Sequence, residues 1–577
     1  MTQWIYVCER SHGVGDWGGD LRTLADRIAP PVQGLGDHRI ITAPGAWLGL
    51  VRPVGPGIAE ATAQGLAGRV GVLQEGGAAW RELGSGSPEG AFALVRSDAH
   101  RVELCTDFVG SRSIWYAFDD QRLVASTSLR ALLALLPGSE PHPRSLAWFI
   151  SSGAPGPEGA WDRRVRQVPA DAIVTLDRVR WVLDVAAHPV EFSPKMATPD
   201  QWQRRFEEVL DQAVRDCELP GAGWILPLSG GYDSRLLLSL LGSQGRRLPA
   251  VTWGREAALR NPRSDAHVAV RLAREAGLDH RYLVTDHPEE SAEGVVDAFL
   301  ATHGGTTESL FSYLDGMAMW RGFAREGVQG IIRGDQGFGF SARPAKDAQI
   351  AVGLLLPQDL FPESEAEALA DGLPQVPDHL LLQPGESDQT YADRLYHAYR
   401  MPFGLAALND VKAPHVEIAN PFLARSVQET LRTMPDALRA DRALYCRVVE
   451  RRSPPIPFAT EPADDQESTF IHTPAFEAWM RAELQGERAQ SLLPEGVRAR
   501  LLASLTSQVA AQAPAFRTWL KRVLPKAVVK ALTTRLPHRK PPMRRLAFRA
   551  ALAMRILAQR EGDQAALAAA RAGLPVG

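Results

Sequence analysis

Apolar residues recur along this chain in two distinct registers. Up to about residue 190 they come in short runs separated by Gly, Pro and Asp, as in Trp4-Ile5-Tyr6-Val7, Ala91-Phe92-Ala93-Leu94-Val95 and Ala172-Ile173-Val174-Thr175-Leu176. Runs of that length, bounded by turn formers, predict β-strands. A stretch punctuated by Pro189, Ser193, Pro194 and Pro199 reads as a linker. From Gln201 the period changes, and Phe206, Val209, Leu210, Ala213 and Val214 fall on one helical face. Strands and helices then alternate: a strand at 224–228, a helix from about 232 to 241, a strand at 250–253, a helix over 267–276 closed by Gly277, and a strand at 281–284. This alternation predicts an α/β fold with a parallel, doubly wound sheet. Ile331-Ile332 adds a further short strand, running into Arg333-Gly334-Asp335. Beyond Thr473 the pattern is mostly helical and basic: from Arg517 through Lys540, Arg544 and Arg545 to Arg549 there is no acidic residue.

Composition narrows the class. A chain of 577 residues is too long for one ordinary core, so two or three domains are expected. Its 64 Lys+Arg nearly balance 67 Asp+Glu, which gives no global attraction to nucleic acid. Cys8, Cys105, Cys217 and Cys446 lie far apart with no C-x-x-C pair, which argues against a zinc site and for a reducing compartment. The first residues carry no basic segment followed by an apolar one, and no later stretch is apolar enough to span a bilayer. The expectation is a cytoplasmic protein with neither membrane nor nucleic-acid partner.

The chemistry concentrates in Leu228-Ser229-Gly230-Gly231-Tyr232-Asp233-Ser234, where an apolar strand turns into a leucine-rich helix. Two glycines let the backbone approach a phosphate, and successive N–H groups form a nest for its oxygens. The next helix adds unpaired N–H groups and the positive end of its dipole. Ser229 and Ser234 supply hydroxyl donors, and Asp233 is a hard-oxygen ligand for magnesium. The Walker spacing and its lysine are missing. Such a loop suits holding a leaving pyrophosphate better than transferring a terminal phosphoryl group. A plain Gly-Gly turn capped by Asp233 or Ser234 is the bland alternative.

In this setting the motif resembles the pyrophosphate loop of the asparagine synthetase family, which includes β-lactam synthetases and lasso-peptide cyclases. The resemblance implies that the loop binds ATP, that a carboxylate is adenylated, and that an amine then displaces AMP. Asp107 to Tyr116 is similar to the family's aspartate–glycine–arginine/lysine–tyrosine stretch, Leu123 to Thr127 to its "ASE" strand, and Val168-Pro169-Ala170 to its "PG" turn. Residues 1–190 therefore look like an Ntn-hydrolase-like αββα glutaminase domain, with 200–577 as the ATP-binding synthetase domain and a helical basic tail from about 473. The family's N-terminal nucleophilic cysteine is absent: residue 2 is Thr2, and Cys8 sits inside a predicted strand as a small buried hydrophobe. The resemblance thus implies a degenerate glutaminase.

In the second half, Thr252-Trp253-Gly254 resembles the strand flanking the adenine, and Ser264-Asp265 the start of the next helix, where Ser264 also reads as a simple cap. Gly334-Asp335 resembles the second phosphate and magnesium loop, with Phe338 where a second aspartate is usual. The resemblance implies that Asp233 and Asp335 share the Mg2+, and that Asp335 and Glu417 are catalytic. Glu417 and Pro421-Phe422-Leu423 match the family's "LEVRVPFLD", and Arg442 to Arg447 its "K-x-x-L-R" helix. The lysine expected after that helix is missing from Pro454 to Thr460, which leaves Arg235 or the basic tail as replacement cations; a solvated surface or a docking face for an acidic peptide are the tail's other readings.

These readings converge on an ATP- and Mg-dependent amide-forming ligase whose amine does not come from glutamine. A small molecule or peptide carrying both a carboxylate and an amine is the expected substrate, delivered in the peptide case by a partner protein. A glutamine-dependent asparagine synthetase and a non-catalytic scaffold that retains the fold are the competing readings.

Overall fold

Fully apolar strands need cover on both faces, and the strand Gln3–Glu9 has it. Trp4, Tyr6 and Cys8 point into a core between two sheets, while Ile5 and Val7 point into a second core under helices. The computed structural model describes residues 3–573 apart from 12–16, 31, 33–35, 54–57, 62–64, 75–78, 287–290, 302, 336, 338–340, 465–469 and 507–539. One antiparallel sheet carries Gln3–Glu9 between Arg122–Ser126 and Ala46–Val51. The other centres on Arg101–Thr106 and Gly90–Ser97, whose Val102, Leu104, Ala93 and Val95 meet the first sheet. This region is not purely β. Helices Gly18–Ile28, Leu129–Leu135 and Pro143–Ser152 cover the first sheet, elements that the apolar pattern did not show although the αββα resemblance implied helices here.

Residues 188–198 run without regular structure between the two halves, and Ser193 and Lys195 donate backbone bonds to the carbonyls of Arg432 and Thr433. The helix Pro199–Asp216 then opens on a capping box, with Thr198 accepting from the Gln201 N–H and Gln201 bonding back to the Thr198 N–H. Such a cap contributes about 1 kcal/mol.

The second half is built on five strands in the order His280–Val284, Ala250–Gly254, Trp224–Pro227, Gly330–Ile332, Glu417–Ala419, every neighbouring pair parallel. Their side chains alternate between two cores. Ile225, Val251, Ile331 and Ile418 face helices Ala292–Leu300 and Ala318–Arg325. Leu226, Ile332 and Ala419 face Pro199–Asp216, Tyr232–Ser243 and Ala443–Arg452. Helices on both faces are what a parallel sheet requires. The chain starts at the central strand, builds outward to one side, and returns to build the other. The topological switch therefore falls between Trp224–Pro227 and Gly330–Ile332.

The described part of the basic tail is helical, as expected, but its arginines are not a solvated face. Arg544 and Arg549 are buried, Arg544 pairing with Glu477 and Arg545 and Arg549 with Glu308. They sit on the helix Met543–Arg571, which packs against all three helices of the N-terminal half and against Pro474–Gln485 and Glu495–Thr506. Its run of Ala550, Ala551 and Ala553 is buried, small enough to let neighbouring helices approach closely. The basic residues from Arg517 to Arg539 lie outside the described residues.

Candidate functional site

Open parallel sheets bind ligands in the crevice beyond the carboxyl ends of the strands at the switch point. Two loops meet there: residues 228–231 after the first central strand and 333–335 after the second. They are in close contact, since a Cβ on Gly334 would lie 2.6 Å from the carbonyl oxygen of Asp233.

The first loop is braced from within. The Ser229 N–H donates to Ser234 Oγ at 3.0 Å, the two serine hydroxyls are 3.0 Å apart, and the Gly231 N–H donates to Ser229 Oγ at 3.2 Å. Both serines thus shape the turn. The helix Tyr232–Ser243 has Gly231 as its N-cap and no side-chain cap, so the N–H groups of its first turn lack intrahelical acceptors. The two glycines differ in role. A Cβ on Gly230 would meet Ala459 Cβ at 2.4 Å and Val268 Cβ at 2.8 Å, so packing excludes any larger residue. A Cβ on Gly231 would meet only Ser229 Oγ, at 3.3 Å. The Gly230 N–H is already engaged, donating to Asp265 Oδ1 at 3.0 Å.

Thr252, Trp253 and Gly254 end the neighbouring strand. Thr252 Oγ1 donates to the Leu228 carbonyl at 2.6 Å, Trp253 packs edge-on against Trp320, and Gly254, at φ +153°, lies against Ala463. Ser264 caps the helix Asp265–Glu275. The segment expected to carry a lysine folds across the loop instead. Arg235 donates to the carbonyls of Ile456 and Pro457, Phe458 stacks on Tyr232 with centroids 4.1 Å apart, and the Ala459 N–H donates to the Gly230 carbonyl. Arg235 is therefore engaged as a structural brace.

The acids sit where the loops touch. Asp233 is half-buried, and Tyr445 donates to its Oδ1 at 2.7 Å. Burial lifts its carboxyl to about 6, against the pull of the Tyr445 hydrogen bond and the Arg442 charge, with the Asp335 charge adding to the rise. Asp335 accepts from Arg333 at 3.0 Å and from Asn420 at 2.6 Å, one on each oxygen. The side chain of Lys412, a residue 3% exposed, forms no hydrogen bond or ion pair with any described residue. Burial and the Arg333 charge hold its ammonium well below the usual lysine range, and Asp335 opposes them. Asn420, Tyr445 and Lys412 were not singled out as site residues in the sequence, because no spacing rule connects them to the loop, and Asp265 was noted only at the start of the next helix.

Glu417 is not brought to this cluster. It begins its strand, paired with Gly330, about 7 Å below the end where Ala419 and Ile332 lead to the loops. Its Oε2 accepts from the Gly71 N–H of the N-terminal half at 3.2 Å, with Arg112 3.7 Å away. Cys8 is wholly buried, and burial pushes its thiol up. Thr2 and Phe338 lie outside the described residues.

Among the described residues no helix is long and apolar enough to cross a membrane, and no three His, Cys, Asp or Glu side chains cluster as a metal site. No protein-family model and no curated protein matches the chain. Among solved structures it is similar to a chain described as the allosteric regulatory enzyme of purine biosynthesis, at 10% identity and a TM-score of 0.22, over 50% of this chain and 81% of that one. The same identity and TM-score relate it to the glutamine phosphoribosylpyrophosphate amidotransferase from B. subtilis complexed with ADP and GMP, over 50% of this chain and 82% of that one. Both are enzymes by description, and at that TM-score neither likeness carries an argument about this site.

Proposed function

We propose that the chain is an ATP-dependent amide-forming ligase, in which a substrate carboxylate is adenylated and the acyl group passes to an amine from a source other than glutamine. The observation that carries the reading is the meeting of Ser229–Ser234 and Gly334-Asp335 at the switch point of the parallel sheet, with Asp233 in the first turn of a helix that has no side-chain cap. On this reading residues 228–234 form a pyrophosphate loop, and residues 1–190 are a glutaminase-like domain that has lost its nucleophile.

The donor set fits magnesium. Asp233 and Asp335 are hard-oxygen ligands close enough for one charge to act on the other, and a cation between them would relieve the burial that lifts Asp233. When bound, magnesium would neutralise charge on the departing pyrophosphate. Ser234, Asp233 and Tyr232 would present first-turn N–H groups to the phosphates, and Tyr445 fixes the Asp233 carboxylate. Thr252 to Gly254 would flank the base. Holding acyl group and amine together would supply much of the remaining acceleration. A peptide with its own amine and side-chain carboxylate suits this chemistry, leading to a macrolactam.

A non-catalytic scaffold is the second reading. It is favoured by Asp335 having both oxygens engaged and by Asp265 occupying the Gly230 N–H. ATP–pyrophosphate exchange separates the two, measured with labelled pyrophosphate against a panel of free amino acids and short acidic peptides. The ligase reading expects carboxylate-dependent exchange that Asp233→Ala abolishes and whose metal dependence Asp335→Asn alters. Exchange that survives Asp233→Ala would sink the loop assignment, and wild-type protein silent with every carboxylate would favour the scaffold.

A further inference from the structure

The residues just before the helix Ala443–Arg452 are held in an unusual backbone state. Asp441 and Arg442 both adopt left-handed conformations, at φ +54° and +60°, although neither is glycine. Such a conformation is costly for any residue with a Cβ, so two in succession persist only where the surroundings impose them. The anchors are visible. Ser341 Oγ donates to Asp441 Oδ1 at 2.6 Å, and upstream the buried Arg439 is tied to Asp393 and Asp436. Downstream, Tyr445 is fastened to Asp233.

What this strain holds in place is a guanidinium without a structural task. Arg96, Arg235, Arg439 and Arg549 each bond to carbonyls or carboxylates. Arg442 is half-buried and makes no hydrogen bond or ion pair with any described residue. Its guanidinium carbon stands 5.7 Å from the ring centroid of Tyr232, the first residue of the uncapped helix, and its charge acts on Asp233. The other cations around the loops are less suited. Arg333 is paired with Asp335, Arg235 is consumed by carbonyls, and Lys412 is enclosed.

We infer that Arg442 binds the polyphosphate of the nucleotide, its planar fork taking two phosphate oxygens beside the Gly231–Ser234 turn. The inference rests on the ATP reading above and names the cation for which the sequence offered only Arg235 and the basic tail. An arginine fork matches phosphate bidentately, which a lysine in the same place cannot do. A pre-strained backbone would hold the fork in position before the ligand arrives, so that little ordering entropy is lost on binding.

The test is calorimetric titration of the full chain with ATP and magnesium, with inorganic pyrophosphate, and with AMP. Arg442→Ala and Arg442→Gly should each weaken ATP and pyrophosphate binding by about 30-fold, and AMP binding by less than about twofold. Arg442→Lys should recover part of the loss. Because glycine accepts a positive φ, Arg442→Gly should also melt about 2 °C above wild type. A purely structural arginine would instead lower the melting temperature and weaken all three ligands together. Variants that fold and bind ATP as tightly as wild type overturn the role of Arg442 alone. A wild-type chain that binds neither ATP nor pyrophosphate overturns the nucleotide reading and Arg442 with it.

Discussion

Asp233 shows how one side chain can carry a cost that only a ligand relieves. Its carboxyl is lifted to about 6 by burial, while an unfolded chain would titrate it near 4. Between those values the folded protein holds a proton that the unfolded chain has released, so raising the pH through this window removes stability, and the loss persists above it. Two units correspond to about 3 kcal/mol. Asp233→Asn, which keeps an acceptor for Tyr445, should therefore match wild type at pH 4 and exceed it by up to that amount at pH 7.5 without magnesium. Urea denaturation at the two pH values reads the difference; a wild type that gains on the variant as pH rises would contradict the burial argument. Magnesium should erase much of the gap at pH 7.5. The sequence marked Asp233 and Asp335 because motif spacing is local. It could not mark Tyr445 or Asn420, which reach these acids across 212 and 85 residues of chain through tertiary packing.

At the scale of elements, the strand–loop–helix around Gly230-Gly231 separates two demands that the sequence merges into one motif. Gly230 is required by Ala459 and Val268, whereas a Cβ on Gly231 would meet only the Ser229 hydroxyl. Gly230→Ala should cost about 1–3 kcal/mol of stability by overpacking. Gly231→Ala, at φ −83°, should fold within about 0.5 kcal/mol of wild type while weakening ATP binding about tenfold. Equal effects from the two variants in thermal melts and titrations would refute this division of labour. The strands Trp224–Pro227 and Gly330–Ile332 were legible because each alternates between two cores and so reads as a short apolar run, whereas Glu417–Ala419, which opens on a charged residue, was not read as a strand. The helix Leu129–Leu135 was not legible, because all seven of its residues are buried, Arg130 included, and it has no polar face to mark a helical period.

At the scale of the whole molecule, segments far apart in the chain are joined by paired charges. Glu308 is the centre of one such join. Burial alone would raise its carboxyl, but Arg549 and Arg545 overcome that and hold it at about 2. A depressed carboxyl contributes stability above its unfolded value, and that contribution fades as the pH falls from about 5 toward 2. Glu308→Gln should leave two arginines without a counter-charge and cost about 3–5 kcal/mol at neutral pH, read by chemical denaturation. A loss below about 1 kcal/mol would mean that solvent reaches the site. The helix Met543–Arg571 makes several such joins, and its Arg571 reaches Asp20 across 551 residues. On the ribosome, the first antiparallel sheet and its helices, complete at Gln167, must therefore wait with one flank bare until the chain has been translated through to Arg571. Chaperones have that interval in which to act on this chain, and a fragment ending at the linker would emerge with the same flank permanently uncovered.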